Sequence, residues 1–305
     1  MSLVSLFKGN GPSGFGYGST AEVVTQGVAL KGKHFLITGS TAGLGLETVR
    51  VLAQRGAKVY ATGRTKEKAA AACDRVPGVI VPVACELSDP ASVRACVAFI
   101  KAEGIKLDGI ITNAGIMAPP QLEQAHGYEL QFFTNHIGHF LLVTSLLDEL
   151  SDAGRVVVLS SAAHKGAPKV GIDFDNLSGQ KSYSPWAAYG QSKLANLLFA
   201  KELAKRLQGT GKTANSLHPG VIKTQLTRDM PAIKVAFSIA APLVLKNIPE
   251  GAATQCYVAT RPELAGVSGE YFADCNIAKP SALGRDAALA TRLWEESERI
   301  VQGLG

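Results

Sequence analysis

From residue 33 onward, short apolar runs rich in β-branched residues alternate with longer helical stretches, and no other feature of this 305-residue chain restricts its fold as strongly. The runs fall at 34–38, 57–62, 79–84, 109–112, 155–160, 213–217 and 269–272. Helical patterning fills 44–55, 66–73, 90–103, 124–149, 186–208, 250–260 and 287–301. Strands that read as nearly continuous apolar runs are buried on both faces, as in parallel sheets sandwiched between helices. With right-handed crossovers, the pattern predicts an α/β fold: one doubly wound, Rossmann-type domain whose mostly parallel sheet has about seven strands, with helices on both faces. Residues 1–30, rich in Gly and Ser, read as an arm laid on the surface with a short helical piece at 21–26; residues 31–305 read as the domain.

Hydrophobic residues make up 46% of the chain and charged residues 18%, which supports one large core and excludes a disordered chain or a coiled coil. The net charge of +6 is spread without a basic run, so no nucleic-acid partner is expected; a basic balance suits an anionic dinucleotide. The five cysteines show no C-x-x-C pair and no histidine at a zinc-like offset. No metal site is expected, and the thiols read as reduced and buried, as in a reducing compartment. With no long uncharged apolar run and too short an N-terminus for a signal peptide, the chain is expected to be soluble and cytoplasmic, with an organelle left open.

The first strand ends in Thr38-Gly39-Ser40-Thr41-Ala42-Gly43-Leu44-Gly45 and a helix follows. A strand, glycine turn and helix in this order let backbone N–H groups approach a pyrophosphate, which the helix N-terminus favours electrostatically. Gly39 permits the sharp turn, Gly43 a close backbone approach to phosphates, and Gly45 tight packing of helix on strand; Ser40, Thr41 and Leu44 complete the cradle. Further along, Tyr189-Gly190-Gln191-Ser192-Lys193 places a phenol and an amine at i and i+4, on one face of a helix. An ammonium near a phenol favours tyrosinate and is expected to lower the phenol's pKa.

The spacing T-G-x-x-x-G-x-G, the Y-x-x-x-K pair, Thr112-Asn113-Ala114-Gly115, Ser161 after the fifth strand and Asn135 on the long helix together resemble the short-chain dehydrogenase/reductase family, whose motif order residues 33–300 follow. The resemblance implies that Tyr189 is the acid in reduction and the base in oxidation, and that Lys193 holds the nicotinamide ribose and tunes Tyr189. It implies that Ser161 bonds the substrate oxygen, with Ser160 the competing choice, and that Asn135 holds a water relaying protons to Lys193. Asn113, Ala114 and Gly115 match the family's N-N-A-G motif, with Thr112 replacing the first Asn. Glu86, followed by Leu87, stands where the family has an Asp on the adenine amino group. Pro219, Gly220 and Val221 would contact the nicotinamide and Thr224 its carboxamide or the phosphates, whereas His218 is expected to be structural.

At the end of the second strand, Gly63 occupies the position of the ribose-binding acid of NAD-using relatives, and Arg64 follows with a planar fork suited to a 2′-phosphate; Lys68 lies one helical turn on. NADP(H) is therefore expected in preference to NAD(H). Stretches 135–140, 192–196, 218–221 and 293–295 resemble the retinol dehydrogenase branch, and 13–22 resembles the start of members found at the chloroplast protein-import machinery. The branch implies reversible reduction of an apolar aldehyde or ketone to its alcohol; the alternative is an NADP(H)-sensing interaction protein with little turnover. A substrate lid is expected near 225–248. Its apolar part, 230–247, also admits core helix and, as a third option, peripheral membrane contact. Relatives often dimerise through the two long helices, here 124–149 and 186–208; the sequence leaves the oligomeric state open, with a homodimer one possibility.

Overall fold

Period-two alternation sends the side chains of each strand into two different cores. In the computed structural model, which describes residues 8–222 and 245–304, Ile37, Val59, Ile111 and Val157 face one core with Val49, Leu52, Ala253 and Cys256. Their chain neighbours Leu36, Tyr60, Ile110, Val156 and Val158 face the other with Val93, Ile100, Phe140 and Phe199. Both faces are thus covered, as the apolar runs require.

In chain order the strands are β1 (His34–Ile37), β2 (Lys58–Gly63), β3 (Val79–Ala84), β4 (Leu107–Thr112), β5 (Gln124–Ala125), β6 (Tyr128–Glu129), β7 (Leu150–Leu159), β8 (Thr213–His218), β9 (Tyr271–Ala273) and β10 (Asn276–Ile277). The main sheet runs β10-β9-β8-β7-β4-β1-β2-β3. Every pairing in it is parallel except β9 with β10. It has eight strands against the seven expected, the addition being the two-residue edge β10. Strand order reverses between β1 and β4, which opens a crevice beyond their C-terminal ends, where ligands of such sheets bind.

Two expected elements differ. The single helix over 124–149 begins instead as a hairpin of β5 and β6, because His126 and Gly127 both take positive φ (52° and 82°), as a two-residue hairpin turn demands. Helix follows as Leu130–Phe132, a π-helical stretch Phe133–Ile137 and Gly138–Ser145. The fifth strand starts earlier than expected, at Leu150, with a register shift opposite Leu107 and Gly109.

The last helix, Ala287–Gln302, starts on an Asp286 cap and lies across both long helices. Its Trp294 packs on Phe140 (ring centroids 4.9 Å) and Phe199 (5.8 Å), and its Ser297 hydroxyl meets His136 Nε2 at 2.8 Å. No described helix is long and apolar enough to cross a membrane. The expected lid falls largely outside the described residues.

Candidate active site

The glycine turn is locked from the far side of the crevice. The Asn113 amide donates to the backbone oxygens of Thr38 (2.9 Å) and Gly39 (3.2 Å), and the Ala114 N–H donates to the Thr38 hydroxyl (3.0 Å). Gly39 has φ +69°, and a Cβ there would stand 2.8 Å from the Ala114 Cα. A Cβ on Gly45 would collide with the Gly39 carbonyl, whereas one on Gly43 would meet nothing. Tight packing thus requires glycine at 39 and 45, and the backbone at 43 is left open. The helix Gly43–Gln54 begins at Ala42 without a side-chain cap, so its first-turn N–H groups are left for a ligand.

That turn opens on a cavity of about 530 Å³ lined by Gly39, Thr41, Gly43, Leu44 and Gly45 and, further along, by Arg64, Glu86, Leu87, Asn113, Ala114 and Gly115. These eleven are residues singled out from sequence. Ser40 is not among the lining: it is fully buried, and its hydroxyl donates to Ile37 O, bracing the turn from within. Lys68 does not line the cavity either. Ala42, Ser88, Ile116 and Thr134 do line it and were missed, and Ile248, the last residue of the expected lid, lines it too. Ala42 is inside the glycine motif and could have been read from it; Thr134 arrives by tertiary packing alone. Glu86 accepts from the Ser88 N–H (3.2 Å) and hydroxyl (2.9 Å), and its other oxygen lies 3.9 Å from the Arg64 Nε.

The chemistry-bearing side chains sit beyond Gly115. A Cβ at that position would be 3.0 Å from Asn135 Oδ1 and 3.3 Å from Lys193 Nζ, so glycine lets both approach the backbone. Asn135 lies in the π-helical stretch, with its amide accepting from Ile116 N–H (2.8 Å) and donating to Ile116 O (3.0 Å) and to the Ser192 hydroxyl (2.9 Å). Tyr189 and Lys193 share the helix Pro185–Arg206. Ser160 is committed elsewhere, donating to the Lys193 carbonyl at 2.6 Å, whereas the Ser161 hydroxyl accepts from the Ala163 N–H (3.1 Å) and acts to lower the Tyr189 pKa. Two imidazoles, His164 buried and His218 half-buried, hold the Ser161 loop. His164 donates from Nδ1 to the Ser161 carbonyl (2.6 Å), and His218 Nδ1 accepts from the N–H groups of Ala162 (3.1 Å) and Gly220 (3.4 Å). Burial holds His218 down to about 4, so it stays a neutral acceptor. Pro219, Gly220 and Val221 follow directly from β8, with Gly220 at φ +102°; Thr224 lies outside the described residues.

The expected lowering of the Tyr189 pKa does not occur. Lys193 Nζ stands 5.8 Å from the Tyr189 ring centre and donates to Leu159 O (3.3 Å), not to the phenol. Burial pushes Tyr189 up, opposed only by the Ser161 hydrogen bond, and burial pushes Lys193 down to about 8. Both groups lose hydration, and desolvation disfavours the charged form of each. The described residues contain no cluster of metal-ligating side chains.

A parallel sheet with its crevice between β1 and β4, a glycine cradle and a Ser–Tyr–Lys set define a dinucleotide-dependent oxidoreductase. The profile of the short chain dehydrogenase family matches residues 33–173. The chain is 42% identical to "Short-chain dehydrogenase TIC 32 B, chloroplastic" of Brassica napus, over 96% of each chain. It is 41% identical to "Retinol dehydrogenase 12" of Mus musculus, over 90% of this chain and 88% of that one. A crystal structure of an uncharacterised protein from Mycobacterium paratuberculosis superposes with a TM-score of 0.75 at 33% identity, covering 93% of this chain and 98% of the other. The chain belongs to the short-chain dehydrogenase/reductase family, whose members use NAD(P)(H) to act on alcohols and carbonyls.

Proposed function

We propose that the protein is an NADP(H)-dependent oxidoreductase interconverting an apolar aldehyde or ketone and its alcohol, with Tyr189 as general acid in reduction and general base in oxidation. The observation that carries this reading is that Lys193 Nζ and Asn135 come up against Gly115, which lines the same cavity as the uncapped glycine turn, while Tyr189 stands one helical turn before Lys193 on the same helix. The residues fit a dinucleotide: open backbone at Gly43 for the pyrophosphate, and Arg64, whose side chain is 75% exposed, at the rim. The bound dinucleotide supplies the hydride equivalent. Tyr189 holds the proton that a carbonyl oxygen needs, Ser161 orients that oxygen, and the Lys193 ammonium stabilises charge developing there. Asn135 and Lys193, brought together at Gly115, frame the route by which the proton is replaced.

NADP(H) is favoured over NAD(H) by the end of β2. A side chain at Gly63 would come 2.8 Å from the Thr41 methyl and 3.1 Å from the Ala69 nitrogen, so the turn has no room for a ribose-binding acid. Arg64 has only a loose contact with Glu86, and a phosphate offers its fork a better partner. Trp186, 48% exposed, presents its ring edge-on to Tyr189 with centroids 6.2 Å apart, an apolar wall beside the phenol that suits an apolar carbonyl compound. The five cysteines are free and buried, in keeping with a reducing compartment.

The test is NADPH oxidation across a panel of aldehydes and ketones. Turnover is expected, and Tyr189→Phe should abolish it while NADPH still binds. Absence of turnover on the whole panel, with dinucleotide-dependent capture of a partner protein, would support instead an NADP(H)-sensing interaction protein.

A further inference from the structure

His139 is buried at 1% exposure, on the same stretch of helix as Asn135, and the chemistry described so far makes no use of it. Its two ring nitrogens reach two different parts of the site. Nδ1 lies 2.9 Å from the backbone oxygen of Asn135. Nε2 lies 2.8 Å from the hydroxyl of Thr38, the residue before Gly39 and 101 positions away in the chain. The partners dictate which nitrogen carries the proton. A carbonyl oxygen only accepts, so Nδ1 must donate, and Nε2 of a neutral ring must then accept from the Thr38 hydroxyl. Thr38 is able to donate because its oxygen separately accepts the Ala114 N–H at 3.0 Å. The ring is neutral, since burial and the charge of Lys193 outweigh the hydrogen bond to Asn135 and hold its pKa down to about 4. One directional chain of hydrogen bonds thus runs from Ala114 through Thr38 and His139 to Asn135. From there the Asn135 amide bonds Ser192, whose hydroxyl donates to the Tyr189 carbonyl at 2.8 Å.

We propose that His139, in its Nδ1–H tautomer, is a positioning residue that couples the dinucleotide-binding turn at Thr38–Gly39 to the helices bearing Asn135 and Tyr189. Its effect on turnover rests on the oxidoreductase reading; the coupling itself does not.

Three measurements test it. Nitrogen-15 NMR of the unsubstituted protein should find His139 protonated on Nδ1. A double-mutant cycle on NADPH affinity should find Thr38→Val and His139→Leu non-additive, the double variant binding no worse than the weaker single one. In turnover, His139→Leu should lower kcat about tenfold, the worth of one neutral hydrogen bond, with KM for the carbonyl compound nearly unchanged. His139→Gln, which keeps an N–H and an oxygen, should recover part of that loss. Should His139→Leu not fold, the tautomer and a cycle of Thr38→Val with His139→Gln decide the matter. An Nε2–H ring, additive effects on NADPH affinity, or a His139→Leu protein that melts lower but binds and turns over normally would each overturn the proposal. If the parent protein reduces no carbonyl compound, the tautomer and the binding cycle still judge the coupling. If it turns over briskly and the cycle is additive, the coupling alone falls.

Discussion

An amine enclosed by protein holds its proton less tightly than one in water, and Lys193 shows the consequence at the residue scale. It has no ion pair with any described residue, and burial brings its pKa to about 8 from 10.5. Reduction needs the ammonium and the protonated phenol together. Tyr189 is shifted upward, so it stays protonated well past the point at which Lys193 releases its proton. The limb is therefore set by Lys193: kcat/KM for NADPH, which reports the free protein, is expected to be level below pH 8 and to fall above it. A profile flat to pH 10 would contradict this. For folding the sign is opposite. Lys193 binds its proton more weakly folded than unfolded, so stability should rise as pH increases from about 8 toward 10.5. At the other end of the cavity, Arg64→Ala should weaken NADPH binding by roughly tenfold to a hundredfold, the range for a charged hydrogen bond, and leave NADH within about twofold. Titrating both dinucleotides against both proteins is the check; equal losses would mean that Arg64 does not read the 2′-phosphate.

At the scale of elements, packing decides what patterning leaves open. Trp294, at 5% exposure, is wedged between Phe140 and Phe199 with the Arg206 guanidinium 4.3 Å from its ring centre. Trp294→Ala is expected to cost roughly 3–5 kcal/mol, seen in a urea melt as an earlier midpoint with little change in slope. The core strands, the glycine turn and the Tyr189–Lys193 helix were legible in the sequence because each is specified by neighbours a few residues apart. The hairpin at 124–129 was not, because a helical reading of residues 124–149 overrode the two-residue turn at His126–Gly127, and positive φ at a histidine has no strong residue signature. The direction of the Tyr189 shift was misjudged for a related reason. Residue spacing reveals that an amine is near a phenol but says nothing of how much water either has lost. Long-range pairings such as Thr38 with His139 and Arg64 with Glu86 are set by which strand ends the topology brings together, and no local pattern encodes them.

For the whole molecule, the question is whether the two long helices are free to meet a second copy. All twelve residues from Tyr189 to Ala200 are buried within the single chain, so the helix Pro185–Arg206 has no apolar stripe left to offer along that length. What encloses it on the outer side is Ala287–Gln302, which also bonds His136 on the other long helix. Among the described residues of these helices, the one large apolar side chain that is exposed is Trp186, at the first turn and beside Tyr189. A stable interface buries on the order of 800 Å² from each partner around an apolar centre, and this face no longer supplies one. The full chain is thus expected to sediment as a monomer at micromolar concentration. A chain ending at Asp286, its two long helices uncovered, should self-associate or aggregate. A full-length dimer cross-linked through residues 185–206 would show that the covering helix moves aside and that this account of the surface is wrong.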